Sequence, residues 1–264
     1  TVETPFPPRV DPPADPAEQP ADGPLMVLRY QPEGEVATAP FLSVTFDQPM
    51  VPLATVDQLA ADDVPVTLTP PVAGRWRWIG TRTARFEVVP DGEGGPDRLP
   101  AAPEYTVPVP AGTTAANGAV LADDVSWTFA TPAPTVTSLS GVDDSMPLDP
   151  VWVAVFDQLV DPEAVLASTR VTADGDDVQV RLATDAEIDG DDGARAAWEA
   201  ALPGRVVAFT PSAALPPDAA IVIAIGPGTP SLEGPRTAGE AHRESGRTYR
   251  ALRVDEHGGH RPQR

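Results

Sequence analysis

Neither cysteine nor lysine occurs anywhere in the 264 residues. The first absence excludes disulfides, thiolate metal sites and cysteine nucleophiles. With lysine missing, all 18 basic residues are arginines, and 39 acids outweigh them to a formal net charge of −21. That balance argues against nucleic acid as a partner, because a phosphate backbone is held by a basic face that displaces its counterions. A run of about 18 apolar residues, the length that crosses a bilayer as a helix, is also missing. Histidine is scarce, so only His242, His257 and His260 offer themselves as general bases or zinc ligands. The last two stand three apart in a polar tail with no acidic third ligand on a rigid element, which does not make a zinc site. Nucleophile-elbow, P-loop and dinucleotide glycine motifs are absent as well. Carboxylates are abundant, but no glycosidase-type pair can be singled out among them. The expectation is a chain with no catalytic, cofactor-binding or metal-binding residues, and no enzyme.

What the chain does have is punctuation: 34 prolines and 21 glycines, too many for long helices, beside a hydrophobic fraction of 41% that still fills a core. It also repeats itself. FDQPMV at Phe46 returns as FDQLVD at Phe156, and LPAAPEYTVPVPAG from Leu99 returns as LPPDAAIVIAIGPG from Leu215. Within the second pair Leu99 matches Leu215, Tyr105 matches Ile221, Val107 matches Ile223, Val109 matches Ile225 and Gly112 matches Gly228; beyond it Gly118 matches Gly234 at the same offset. Apolar partners at every second residue have the period of a strand with one buried face. Each copy opens with such a strand, Phe41 to Phe46 and Val151 to Phe156. A closing strand is expected over Ser126 to Phe129 in the first copy and over Tyr249 to Val254 in the second. A short helical turn is expected after each FDQ, capped in the second copy by Asp161 with Pro162 at the first helical position.

Short strands, close turn signals and a module of about 110 residues predict two tandem immunoglobulin-like β-sandwiches, with a small β-barrel as the alternative. Pro108 and Pro110 should lie on an edge or at a strand end. The boundaries expected are a Pro-rich acidic tether over 1–24, module one over 25–132, module two over 133–256 and a flexible tail over 257–264. The tether has eight prolines in 24 residues, a composition too polar to bury a core. The chain starts without methionine, so an upstream signal or anchor is expected to have preceded it.

Four stretches invite a functional reading. In GRWRWIGTRTARFE, from Gly74, a three-residue loop over Gly80, Thr81 and Arg82 sets Trp76 opposite Phe86 and Trp78 opposite Ala84. Both tryptophans then face inward, with Arg75 beside Glu87 and Arg77 opposite Arg85 outside. That is a core hairpin with a solvated outer face, in preference to a ligand platform. TDAEIDGDDGARAAWE, from Thr184, places Asp185, Glu187, Asp189 and Gly190 at calcium-loop positions, but Ala196 falls where the bidentate glutamate belongs. The stretch therefore reads as a solvated acidic loop. ARAAWEAAL reads as a short helix packing Ala194, Trp198 and Leu202 on the second sandwich, and VTADGDDVQV as a hairpin turning at Asp174-Gly175.

VTFDQPMVPL, GRWRWIGTRTARFE, LPAAPEYTVPVPAG with WTFATP, and IAIGPGTPSLEGP together give the chain a family likeness. It resembles the N-terminal region of bacterial alpha-2-macroglobulin-like proteins, with tandem bacterial Ig-like domains of the type also found in S-layer proteins. The resemblance implies a cell-envelope protein, membrane-tethered through an upstream lipidated cysteine, that traps proteases. This region would be its non-catalytic scaffold, with further domains of the same polypeptide and the target proteases as partners. The thioester of such traps needs a cysteine, so no thioester chemistry carries over to these residues. The alternative is a surface-layer or adhesion-type Ig-like module with a binding or spacer role. An accessory domain of a carbohydrate-active enzyme would need an exposed aromatic strip, and the hairpin register buries Trp76 and Trp78.

Overall fold

Alternation of apolar and polar residues in FLSVTF gives a strand with one face inward, and Leu42, Val44 and Phe46 are all fully buried. The computed structural model describes residues 23–52, 64–89 and 98–250. Along the first module run β1 (Val27–Gln31), β2 (Gly34–Glu35), β3 (Phe41–Phe46), β4 (Gly74–Ile79), β5 (Thr83–Val88), β6 (Glu104–Val109) and β7 (Val125–Ala130). Along the second run β8 (Val136–Ser140), β9 (Trp152–Phe156), α1 (Pro162–Ala167), β10 (Thr169–Ala173), β11 (Asp176–Val178) and β12 (Val180–Leu182). Then come α2 (Asp185–Gly190), α3 (Asp192–Ala200), β13 (Val206–Pro211), β14 (Ala220–Ile225) and β15 (His242–Arg247).

Each module is a sandwich of two sheets, as the repeat predicts. The first has sheets β1-β3-β5-β4 and β2-β7-β6; the second has β8-β9-β13-β12 and β11-β10-β14-β15. The leading sheets match strand for strand, down to a bulge. The β1–β3 ladder slips between Val27 and Arg29, and the β8–β9 ladder slips between Val136 and Ser138. Tyr105, Val107 and Val109 are buried, and so are their counterparts Ile221, Ile223 and Ile225. Gly112 and Gly228 both adopt positive φ, 84° and 92°, and both donate back across a turn, to Leu121 and Ala238. Gly118 and Gly234 share no such cause: the first has φ of 88°, whereas the second is kept small by the backbone of Ala102 and Pro103. Pro108 lies in β6, the last named strand of its sheet, and Pro110 just beyond it.

The tryptophan hairpin has the expected register, Trp76↔Phe86, Trp78↔Ala84, Arg77↔Arg85 and Arg75↔Glu87, around a loop with Gly80 at φ 72°. Trp78 is buried, but Trp76 is only half-buried, set edge-on to Phe86 at 5.3 Å and 63°. Gly74 makes room for the Phe86 ring, since a β-carbon there would collide with it. Tyr30 of the leading sheet stacks on Trp127 of the other at 4.4 Å, tying the two layers of the first module together.

Three expectations need correcting. The closing strand of the second module is His242–Arg247, paired from Ala220↔Arg247 to Ile225↔His242; Tyr249 is outside it and exposed. HRESGR has no apolar alternation because it is an exposed edge, so nothing in its pattern announces a strand. The acidic run from Thr184 is helix α2 rather than a loop, because Thr184 and Glu187 form a reciprocal capping box. On α3 and its C-cap the packed residues are Ala194, Ala197 and Ala201, while Trp198 and, beyond the cap, Leu202 are 38% and 60% exposed.

By contacts the chain divides into two compact units. Of the described residues, one holds those up to Gly34, those between Ala39 and Leu99 and Tyr105–Phe129; the other holds Glu35–Thr38, Pro100–Glu104 and those from Ala130 to Arg250. Residues 1–22 of the expected tether and the tail from 251 lie outside the described residues, as does the helical turn expected after the first FDQ.

Candidate functional site

The best-built polar sites are the two FDQ motifs, one per module. In the first, Asp47 Oδ1 accepts the Met26 N–H at 2.8 Å, and the Asp47 N–H donates to the Met26 carbonyl at 3.0 Å. In the second, Asp157 Oδ1 and Oδ2 accept the N–H and hydroxyl of Thr135, each at 2.9 Å, and the Asp157 N–H donates to the Thr135 carbonyl. The glutamines beside them are buried, Gln48 at 0% and Gln158 at 1% exposure. A buried amide needs partners. Gln48 donates to the carbonyls of Gly23 and Pro24 and accepts from Asn117; Gln158 donates to Pro132 and accepts from Ser231. Each Asp-Gln pair therefore fastens the chain segment that enters its own module.

The loop after β14 completes this site in the second unit. Glu233 accepts the N–H groups of Leu159 at 2.9 Å and Ala101 at 2.8 Å, and Arg236 donates to the Thr131 carbonyl at 2.7 Å. The conspicuous run IAIGPGTPSLEGP is thereby occupied with holding backbone.

Two grooves open on the second unit. One of about 450 Å³ lies between α1 and β10–β12, with Arg170 and Asp177 paired at 2.7 Å on its rim. That ion pair holds the Asp177 carboxyl below its usual range, chiefly through the hydrogen bond from Arg170. The other, about 380 Å³, has an apolar floor of Val136, Phe156 and Ile225, with Glu240 and His242 at its margin. His242 Nε2 is 3.4 Å from Glu244 Oε1 and makes no hydrogen bond. His257 and His260 lie outside the described residues.

Asp185, Glu187, Asp189 and Gly190 are brought onto one helix, and the Glu187 carboxylate is already engaged. Glu187 takes two hydrogen bonds from Arg181, at 2.9 and 2.5 Å, and one each from the N–H and hydroxyl of Thr184 at 2.9 Å. Those donors, Arg181 first, pull its pKa down to about 2. Among the described residues, no three His, Cys, Asp or Glu side chains are grouped to hold a metal ion, and no helix is long and apolar enough to cross a membrane.

No protein-family model matches the chain, and no curated protein does. Among solved structures, an L,D-transpeptidase from Mycobacterium tuberculosis is similar over 61% of this chain and 59% of its own, at 19% identity and a TM-score of 0.26. Native alpha-2-macroglobulin from Escherichia coli, spanning domains MG0-NIE-MG1, is similar over 87% of this chain and 72% of its own, at 15% identity and a TM-score of 0.28. L,D-transpeptidase 3 from M. tuberculosis, with a faropenem-derived adduct, gives 17% identity over 60% of this chain and 65% of its own, at a TM-score of 0.26. The chain thus spans about three fifths of the length of the transpeptidases it matches. At these TM-scores none of the likenesses decides what the chain does.

Proposed function

We propose that the chain is a non-catalytic scaffold: two Ig-like modules of a cell-envelope, alpha-2-macroglobulin-like protein that traps proteases. The observation that carries the scaffold part is the repeated clamp. The polar residues that recur between the modules, Asp47 with Gln48 and Asp157 with Gln158, use their hydrogen bonds on incoming backbone, as parts of a spacer do. The protease-trapping part rests on the family resemblance of the sequence. Further domains of the same polypeptide and target proteases are the partners this reading implies.

The scaffold reading is tested by assaying the full chain against peptide, ester and glycoside substrates, where no turnover is expected. Turnover that survives repurification and vanishes on replacing one carboxylate would overturn it. The trap reading is tested on the natural full-length protein, which should retain an added protease in a complex after cleavage; a protease that passes through unretained rejects it.

A further inference from the structure

The outer face of the first module's leading sheet has a counterpart in the second module, and there it is covered. The registers align the two: Trp76↔Phe86 with Phe86↔Leu42 in one, Leu182↔Phe209 with Phe209↔Trp152 in the other. Arg75 therefore stands where Arg181 stands, Arg77 where Ala183 does, Arg85 where Ala208 does and Ser43 where Val153 does. In the second module a helical pair lies over this face, with Ile188 and Ala194 packed on Val151, Val153, Val206 and Ala208. Arg181, on the same face, forks onto Glu187 of α2.

In the first module the loop Gly80–Arg82 replaces the whole helical pair, so no described helix lies over the face. Its strands carry Arg29, Arg75, Arg77 and Arg85, interleaved with Gln31, Ser43, Thr45 and Thr83, two apolar residues, Phe41 and Ile79, and a single carboxylate, Glu87; the Arg85 guanidinium lies 3.9 Å over the Phe41 ring. Glu87 is shared: Arg77 reaches it at 2.7 Å, and Arg85 Nε lies 3.5 Å away without a hydrogen bond. Arg29 and Arg75 are exposed and have no carboxylate partner among the described residues. A locally positive sheet face thus sits on a chain of net charge −21.

We propose that this face docks an acidic helical segment of a partner polypeptide, with Arg75 and Arg77 as forks for its carboxylates. Guanidinium forks match carboxylates in pairs. The second module supplies the template for the occupant, since there an acidic helix already meets the equivalent arginine. A pleated face gives a small ligand no enclosure, and a second copy of the same face would set arginine against arginine.

The test uses the full chain and a fluorescein-labelled, Glu/Ala/Leu-based helical peptide of about 18 residues, with its Glu→Lys counterpart and heparin as controls, read by anisotropy. The Glu peptide should bind in the micromolar-to-millimolar range and weaken with salt, as rim-type charge contacts do. R75E/R77E should lower its affinity at least about tenfold. R75A/R77A, a milder change on the same strand, should lower it several-fold while circular dichroism stays that of the parent. No binding of the Glu peptide, equal binding of the Lys peptide, indifference to both double variants, self-association of the chain in its place, or binding of heparin alone would each overturn the proposal.

Discussion

Replacing Trp78 by alanine discriminates most sharply between a core hairpin and a binding platform. Trp78 is 7% exposed, and its ring centroid lies 6.4 Å from that of Phe46. A tryptophan buries about 150–250 Å², and at about 25 cal/mol/Å² that area corresponds to ~4–6 kcal/mol as an upper estimate. Aromatic truncations in cores cost about 3–5 kcal/mol. Trp76 is less deeply buried than Trp78 and meets Phe86 edge-on, so Trp76→Ala should cost less than Trp78→Ala. Arg77 is 51% exposed on the other face, paired with Glu87 yet opposite Arg85. Arg77→Ala should therefore stay within about 1 kcal/mol. With a urea m-value of about 1–3 kcal/mol/M, Trp78→Ala should move the first unit's midpoint by more than ~1 M, followed by near-ultraviolet circular dichroism. A Trp78→Ala chain as stable as the parent, or a Trp76→Ala chain that loses as much as Trp78→Ala, would refute the assignment of faces.

Asp161 caps α1 by accepting the Ala164 N–H at 2.9 Å, so Asp161→Ala should cost about 1 kcal/mol in the same denaturation. Gly175 has φ of 96° in the turn after Asp174, and Gly175→Ala should destabilise the second unit by about 1 kcal/mol or more. Glu187 has its pKa pulled down to about 2 in the folded chain, against about 4.3 when unfolded. A depressed carboxylate stabilises above the unfolded value and ceases to do so as pH falls through the folded one. The parent should accordingly lose stability between about pH 4.5 and 2, and Glu187→Gln should flatten that part of the profile, measured by thermal unfolding across the range.

Much of the fold is legible where one face of a strand is buried and the other wet. FLSVTF, TARFEV and EYTVPV alternate, and the repeat then carries the reading from one module to the next. The second module departs from that rule in a way its sequence does signal. VWVAVF and VVAF are apolar without a break, the mark of strands covered on both sides, and α2 and α3 supply the second cover. Composition is what hides α2: acids in DAEIDGDD look solvated, yet the Thr184–Glu187 pair caps a helix there. β15 gives no pattern because an exposed edge needs none. The FDQ motif is visible as a repeat, but its role is not, since hydrogen bonds to backbone twenty or more residues away leave no periodicity to read.

The clamps also determine how the chain would carry tension. A pull entering the second module through Pro132 and Thr135 is taken up first by Gln158 and by the carboxylate and N–H of Asp157. These bonds lie ahead of the β8–β9 ladder and are loaded together, so they act as a strain relief that keeps force from peeling β8 off rung by rung. The same fastening recurs at Met26 in the first module. A string of such modules would resist stretching first at its inlets.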